Sequence, residues 1–371
     1  MADRLGGIVK PDTRKGFRPN LHVGPDLGLA CRQVDRLDGE LDRLRLTPFL
    51  VEQVLRWASV QNAWSSTALE GNPTPLARAA ALVEPGVRPR NKDEREIRRL
   101  IAYYRSLERL RKTDEPERLT LDQIRQLHEQ LLDGVVEGPV GKWKTRANYI
   151  AGARGVVLQP TPPPRVEAEL RSLLAWYRGE GQGLHPAARV AVFFHEFESI
   201  HPFRDGNGRV GRALCQRLLV GEGLPNVLYV PLDAVLTRAQ DLYYETLRIT
   251  NQTGNFRFWA EYFVSSLVTA YREAIERADV GKVVDSVPTG VARAVLQHVL
   301  LAGTSTIRSA ELEKVTGYSR PAIVLGLNKL QELGILEPRG AGPSTHYVLR
   351  PDYLERIFGG DPPRRATRTK T

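Results

Sequence analysis

His201-Pro202-Phe203-Arg204-Asp205-Gly206-Asn207-Gly208-Arg209-Val210-Gly211-Arg212 is the segment from which the rest of this chain can be placed. Upstream, Val190, Phe193, Phe194 and Phe197 recur at helical spacing, which predicts a core-facing helix from about Pro186 to Ile200. Pro202 ends that helix, because the residue before a proline is pushed out of the α region. Beyond the break, Val210, Leu214 and Leu218 mark one face of a second helix, with Asp205-Gly206-Asn207-Gly208 at its mouth. The pattern is helix, tight turn, helix, and the chemistry-bearing residues sit at the turn.

Glycines at 206 and 208 let backbone N–H groups approach a ligand closely, and a helix N-terminus adds the positive end of its dipole. Together these make an anion cradle suited to phosphate. Arg209 and Arg212, three apart, can face one side of the helix and clamp further phosphate oxygens. Asp205 offers a hard oxygen to a magnesium ion shared with those phosphates, and His201 is a candidate general base for a hydroxyl. A calcium loop fails on register: with Gly208 in the invariant glycine position, the first and last ligands would be Phe203 and Leu214. No G-x-x-x-x-G-K-[ST] phosphate loop occurs anywhere in the chain.

The segment resembles the H-P-F-x-[DE]-G-N-G-R-x-x-R motif of the Fic family and matches it at every specified position. Members of that family typically transfer AMP from ATP to a hydroxyl side chain of a target protein. The resemblance implies a mainly α-helical fold, a Fic helical core with a small β-hairpin flap. It implies that His201 deprotonates the target hydroxyl, that Asp205 holds Mg2+, and that Gly206, Asn207 and Gly208 cradle the α- and β-phosphates of ATP. Arg209 and Arg212 would engage the β- and γ-phosphates, and Phe203 would anchor the loop in the core. The target would be a protein bearing a Ser, Thr or Tyr hydroxyl, or the chain itself.

A second resemblance lies upstream, in Ser65-Ser66-Thr67-Ala68-Leu69-Glu70-Gly71-Asn72. Read physically, this is a helix ending at Gly71 with Glu70 in the last turn, where the helix dipole disfavours a carboxylate. The segment resembles the [ST]-x-x-x-E-[GN] inhibitory motif of Fic proteins through Ser66, Glu70 and Gly71. The likeness implies that Glu70 pairs with Arg212 and displaces the γ-phosphate from its productive place.

Composition bounds the rest. The chain has 371 residues, 42% hydrophobic and 26% charged, as a soluble globular protein of two or three domains would. No run approaches the roughly 18 consecutive apolar residues of a membrane span, and the N-terminus lacks the apolar core of a signal peptide. These features predict a cytoplasmic protein with no membrane partner. Cys31 and Cys215 alone exclude a disulfide framework or a cysteine metal site. The net charge of +10 favours anionic partners, although part of it lies in the basic tail over 360–371, which reads as disordered.

Residues 1–25 read as an extended arm and 27–59 as helices. Asp93 to Arg111 reads as a helix whose charges form a solvated face, and Thr120 N-caps a helix through Leu132 in which His128 is structural. Gly141 to Pro160 is the one β-like region, and the resemblance makes it the flap that aligns a target segment by strand addition. Downstream, Tyr244 and Asn251 are seven apart on one helix face, and the resemblance places them beside the adenine. A linker near 279–288 leads to a helix, a short helix, a helix from Ser319 to Leu333 and a two-stranded wing, an order that resembles a winged helix-turn-helix. Only Ser319, Arg320, Asn328 and Lys329 on its second helix offer DNA contacts, so DNA remains one partner class and a docking module for a protein or a second copy of the chain the other. The expected organisation is thus a helical region over 1–110 with the inhibitory helix at about 60–71, a Fic domain over 111–278 and a winged helix over 288–350. The functional expectation is an adenylyltransferase autoinhibited by Glu70. The alternatives are a DNA-binding regulator that senses nucleotide, AMP removal, or transfer of another nucleotide.

Overall fold

A computed structural model of the chain describes residues 7–44, 48–84, 86–112, 118–152, 155–287, 290–302, 307–340, 342 and 345–350. The basic tail lies outside the described residues. The chain divides into two compact units, one of Met1–Arg45 with Val51–Ala274 and one of Leu46–Leu50 with Ile275–Thr371.

In the larger unit, strand β1 (Ile8–Val9) precedes helices α1 (Pro25–Arg43), α2 (Pro48–Ala68), α3 (Leu76–Ala81), α4 (Lys92–Ser106) and α5 (Leu121–Leu132). Strands β2 (Ile150–Gly152) and β3 (Gly155–Gln159) lead to α6 (Val166–Arg178), α7 (Pro186–Ile200), α8 (Asn207–Gly221), α9 (Leu232–Arg238), α10 (Gln240–Thr253) and α11 (Arg257–Ser286), whose residues from Ile275 on belong to the smaller unit. The fold is mainly helical, as the sequence predicts. Helix α7 runs over the predicted Pro186–Ile200, and it is buried on every side, including Val190, Phe193, Phe194 and Phe197. A helix buried all round belongs at the centre of a core, and its charged members are paired there, Arg189 with Glu222 and Glu196 with Lys10. It packs on α8, and α4, α5 and α6 pack around this pair. Thr120 caps α5 with a full capping box, its hydroxyl accepting from the Gln123 N–H while the Gln123 side chain accepts from Thr120 N–H.

The flap is larger than a hairpin. β2 and β3 pair antiparallel, and β1 adds in parallel on the other edge of β3, giving the order β1-β3-β2. The reason lies in the arm: Lys10 is buried, and its ammonium reaches Glu169 at 2.9 Å and Glu196 at 2.7 Å on α6 and α7. That anchorage holds Ile8 and Val9 alongside Leu158 and Gln159.

Three local expectations change. Helix α2 stops at Ala68, so Glu70 stands in the turn after it, where Glu70 N–H donates to Thr67 and Gly71 N–H to Ala68. The charges of α4 are not all solvated: Glu94 and Glu96 are buried, and each meets an arginine, Arg78 and Arg209. The predicted linker near 279–288 is mostly the end of α11, because no proline interrupts the helix before Pro288.

The smaller unit carries α12 (Val291–Ala302), α13 (Ser309–Thr316), α14 (Arg320–Glu332), and the antiparallel strands β4 (Leu336–Arg339) and β5 (His346–Leu349). Leu296, Val299, Leu312, Ile323, Leu327, Leu330 and Leu336 form its own core. Ile307 bridges to Tyr347 beside the two strands. Among the described residues no helix is long and apolar enough to cross a membrane.

Candidate active site

His201 is the C-cap of α7 and the one non-glycine residue with positive φ among the described residues, at φ 50°. Its N–H donates to Phe197 at 3.0 Å, closing the helix, while Pro202 prevents continuation. The imidazole is about one-fifth exposed, with Nδ1 3.2 Å from the Glu198 carbonyl. A carbonyl only accepts, so Nδ1 carries the proton and Nε2 holds a lone pair. Burial, reinforced by the Lys144 ammonium, pushes the imidazole down to about 4, so it is neutral and able to accept a proton at neutral pH.

The loop between the helices is held by hydrogen bonds to the backbone of His201, Pro202, Phe203, Asp205 and Gly206. Asn207 Oδ1 accepts from Phe203 N–H at 2.8 Å, and its Nδ2 donates to the Phe203 carbonyl at 3.0 Å. The Asn207 side chain is therefore committed to the loop, and only its N–H is available to an anion. Phe203 is fully buried, stacks on His128 with centroids 3.8 Å apart and lies 5.1 Å from the Trp143 ring. His128 Nε2 is 3.1 Å from the Asp205 carbonyl while its Nδ1 accepts from Gly141 N–H at 2.9 Å, a structural role as the sequence predicts.

Gly206 is the N-cap of α8 with φ 78°, a left-handed conformation, and no side chain caps the helix. The first-turn N–H groups of α8, at Asn207, Gly208 and Arg209, have no intrahelical acceptor and point out of the helix end. A Cβ at Gly208 would meet Glu70 Oε1 and the Arg212 guanidinium, so nothing larger than glycine fits between the cradle and these groups.

The arginines diverge. Arg212 is buried; its Nη2 donates to Glu70 Oε1 at 2.8 Å and to the Ser66 carbonyl at 2.9 Å, and its Nε donates to Ser66 Oγ at 2.8 Å. Burial pushes the Glu70 carboxyl up, but Arg212 and Arg209 outweigh it and hold the group below its usual range. Arg209 turns the other way, pairing with Glu96 and, at 2.7 Å, with Asp205 Oδ1. It does not line the cleft.

That cleft is bounded by Glu70, His201, Asp205, Gly208, Arg212, Tyr244 and Asn251, with Glu198 and Leu158 beside them. Tyr244 and Asn251 thus face it from one side of α10. Tyr244 is exposed, and Asn251 Oδ1 accepts from Ser199 Oγ at 2.9 Å. Asp205 is half-exposed, with Oδ1 taken by Arg209 and by Gly206 N–H. Among the described residues no group of three or more His, Cys, Asp or Glu side chains is placed to hold a metal. A magnesium ion still fits at Asp205, because that ion keeps waters and takes the remaining ligands from substrate phosphates.

Several of these residues carry no signal in the sequence. Glu198, Glu96, Lys144 and Asn148 join the site only through the fold, although Glu198, three residues before His201 on the same helix, is the one that spacing could have found. Burial pushes its carboxyl up to about 8 against the pull of Arg212, and its Oε1 has no hydrogen-bond partner.

Fold and site together define a helical domain with an anion cradle at one helix N-terminus and a neutral imidazole at the end of its neighbour. Residues 118–219 match the Fic/DOC family, so that stretch of the chain, from α5 into α8, is a Fic/DOC domain. The chain is 26% identical over 235 residues to protein adenylyltransferase fic-1 of Caenorhabditis elegans, a match covering 62% of this chain and 44% of that one. The likeness to protein adenylyltransferase Fic of Nematostella vectensis is 26% over 226 residues, 59% of this chain and 50% of that one. The crystal structure of a Fic family protein from Desulfovibrio desulfuricans G20 superposes with a TM-score of 0.63 at 25% identity, over 90% of this chain and 99% of that one. The chain spans about half the length of the curated relatives it matches, or less.

Proposed function

We propose that this protein transfers AMP from ATP to a hydroxyl of a target protein, itself included, and that Glu70 holds the activity in check. The observation that carries the reading is the pairing of a cradle of unused N–H groups with an imidazole whose lone pair is free, both on the cleft lined by Tyr244 and Asn251. The triphosphate lies along the α8 N-terminus, with Asn207 and Gly208 presenting N–H groups to the phosphates and Gly206, whose own N–H is bonded to Asp205, letting them approach closely. Arg212 neutralises the γ-phosphate once Glu70 yields it, and Arg209 acts at one remove by fixing Asp205. Tyr244 and Asn251 contact the adenine. Asp205 holds magnesium, which when bound supplies positive charge to the phosphates.

The target oxygen attacks the α-phosphorus in line. His201 Nε2 takes the hydroxyl proton as the new P–O bond forms, and the bond to the β-phosphate oxygen breaks to release pyrophosphate. Positioning and charge neutralisation supply most of the acceleration. The reaction requires incubation with α-labelled ATP and magnesium to place label in protein, and His201→Ala to abolish it. Absence of label in both wild type and Glu70→Gly would sink the reading.

The smaller unit is proposed as a winged helix-turn-helix. Helix α14 exposes Val324 and Leu325 alongside Arg320 and Lys329, a surface mixed enough to favour protein docking over a DNA groove. A DNA mobility shift at physiological salt tests this, and tight sequence-specific binding would reverse the preference.

A further inference from the structure

The His201 loop is strained and needs support from outside itself. A non-glycine residue in the left-handed region persists only where its surroundings over-determine it. The loop's own groups supply the Phe197 bond and the Asn207 clasp. Beside His128, which holds the Asp205 carbonyl and stacks on Phe203, further support comes from a segment fifty-odd residues upstream that shows no catalytic signature, Lys144 to Asn148. Lys144 N–H donates to the Pro202 carbonyl at 2.8 Å, and Lys144 Nζ donates to the Ile200 carbonyl at 3.2 Å. Asn148 Nδ2 donates to the Phe203 carbonyl at 2.9 Å, and Asn148 Oδ1 accepts from Lys144 Nζ at 2.6 Å. The carbonyls on both sides of His201 are thus gripped by one short segment.

The choice of lysine is informative. Lys144 is buried, and unlike Lys10 it is hydrogen-bonded to no carboxylate among the described residues. A buried ammonium without an ionic partner is costly, and burial brings this one down to about 7. The charged groups facing His201 are Lys144, Glu70 and Asp205, with Glu198 on its own helix, while Glu169 faces Lys144. Among these, Lys144 alone opposes a positive charge on the imidazole. The same segment runs straight into the flap, since β2 begins at Ile150, which also lines the cleft.

We infer that Lys144 and Asn148 are positioning residues that lock the His201 loop in its proton-accepting conformation and tie it mechanically to strand β2 of the flap. This rests on the adenylyl-transfer reading above. A target strand laid on β2 would pull on the piece of chain that fixes the base, so docking and base alignment are one event.

The test uses the full chain in the Glu70→Gly background, with Lys144→Met, Lys144→Arg and Asn148→Ala added singly. Initial rates of AMP incorporation should fall about tenfold or more in Lys144→Met with KM for ATP changed less than about twofold, because a misplaced base costs kcat and leaves ground-state binding alone. Lys144→Arg should recover most of the rate. In parallel, 15N spectra of the imidazole, which need no activity, should show His201 as the Nδ1–H tautomer in the parent and as a mixture in Lys144→Met. A folded Lys144→Met protein with parental kcat and an unmixed tautomer would overturn the inference. Should Lys144→Met not fold, Asn148→Ala is judged by the same two readouts. A parent that incorporates no AMP removes the functional reading, and the tautomer signature then decides for Lys144 by itself.

Discussion

Replacing Glu70 with glycine is the perturbation for which the geometry gives the clearest magnitude. Glu70 accepts a 2.8 Å hydrogen bond from Arg212, whose side chain is 1% exposed while that of Glu70 is 29% exposed. Breaking a buried ion pair costs about 3–5 kcal/mol, and partial exposure of one partner reduces this to about 2–3 kcal/mol. In the proposed reaction ATP must meet that cost before Arg212 can turn to the γ-phosphate. Removing the carboxylate removes the cost, and at about 1.4 kcal/mol per decade the rate of productive turnover should rise about 30- to 140-fold. Intact-mass measurement of purified protein incubated with ATP and magnesium, read as initial rate of AMP addition, provides the assay. Arg212→Ala should be slow with or without Glu70, since the acceptor of the released charge is gone. Equal rates for wild type and Glu70→Gly, in a background where His201→Ala is silent, would refute the idea that this contact is what restrains the enzyme.

Ser66→Ala deletes one of the two bonds that Ser66 gives Arg212, that from Nε to Oγ, and leaves the Glu70 pair intact. A loss of about 1 kcal/mol predicts about fivefold activation by the same assay, well short of Glu70→Gly. The pH dependence of Glu70→Gly should be flat from neutrality down to about 5.5. With the imidazole brought to about 4, the base is lost only as pH falls through that value, whereas a falling limb centred near 6.5 would mean an unperturbed histidine. Gly206→Ala places a Cβ at φ 78° against Leu132 Cδ1. Left-handed strain of about 1–2 kcal/mol plus overpacking of about 1–3 kcal/mol should lower unfolding free energy in urea by about 2–5 kcal/mol, and an unchanged midpoint would contradict the loop geometry.

What could be read from the chain alone was what local rules govern. The helix from Pro186 to Ile200 follows from aromatic spacing and a terminating proline, and the cradle follows from glycines at a helix mouth. Both are decided within a dozen residues. The partners of the motif arginines were harder to foresee. Three residues apart on α8, Arg209 and Arg212 can share a face, yet Glu96 on α4 draws one away while Ser66 and Glu70 draw the other. Nothing in the spacing of α4 distinguishes Glu96 from its solvated neighbours, because burial is set by packing on α8. The third flap strand escaped for the same reason: Ile8 and Val9 are too short a run to signal a strand, and a buried Lys10 held by two distant glutamates makes it one. The end of α2 shifted because Gly71, with φ 88°, closes the helix through a left-handed turn that places Glu70 outside the last regular hydrogen bonds.

In the proposed reaction, the burial of Arg212 is what makes inhibition and catalysis meet at one guanidinium. A cation with 1% exposure cannot be left without an anion, since the desolvation cost of an unpaired buried charge exceeds what neighbouring dipoles return. Glu198 is close, but burial raises its carboxyl to about 8, so it is mostly neutral at pH 7 and answers little of that charge. Asp233, raised to about 6, contributes from a distance while its Oδ2 accepts from Tyr104. The direct ionic partner at rest is therefore Glu70, and in the proposed reaction it is a phosphate. On that proposal the two states differ by an exchange of anions on a cation that is paired in both, so that a single carboxylate just past the end of α2 would set the activity.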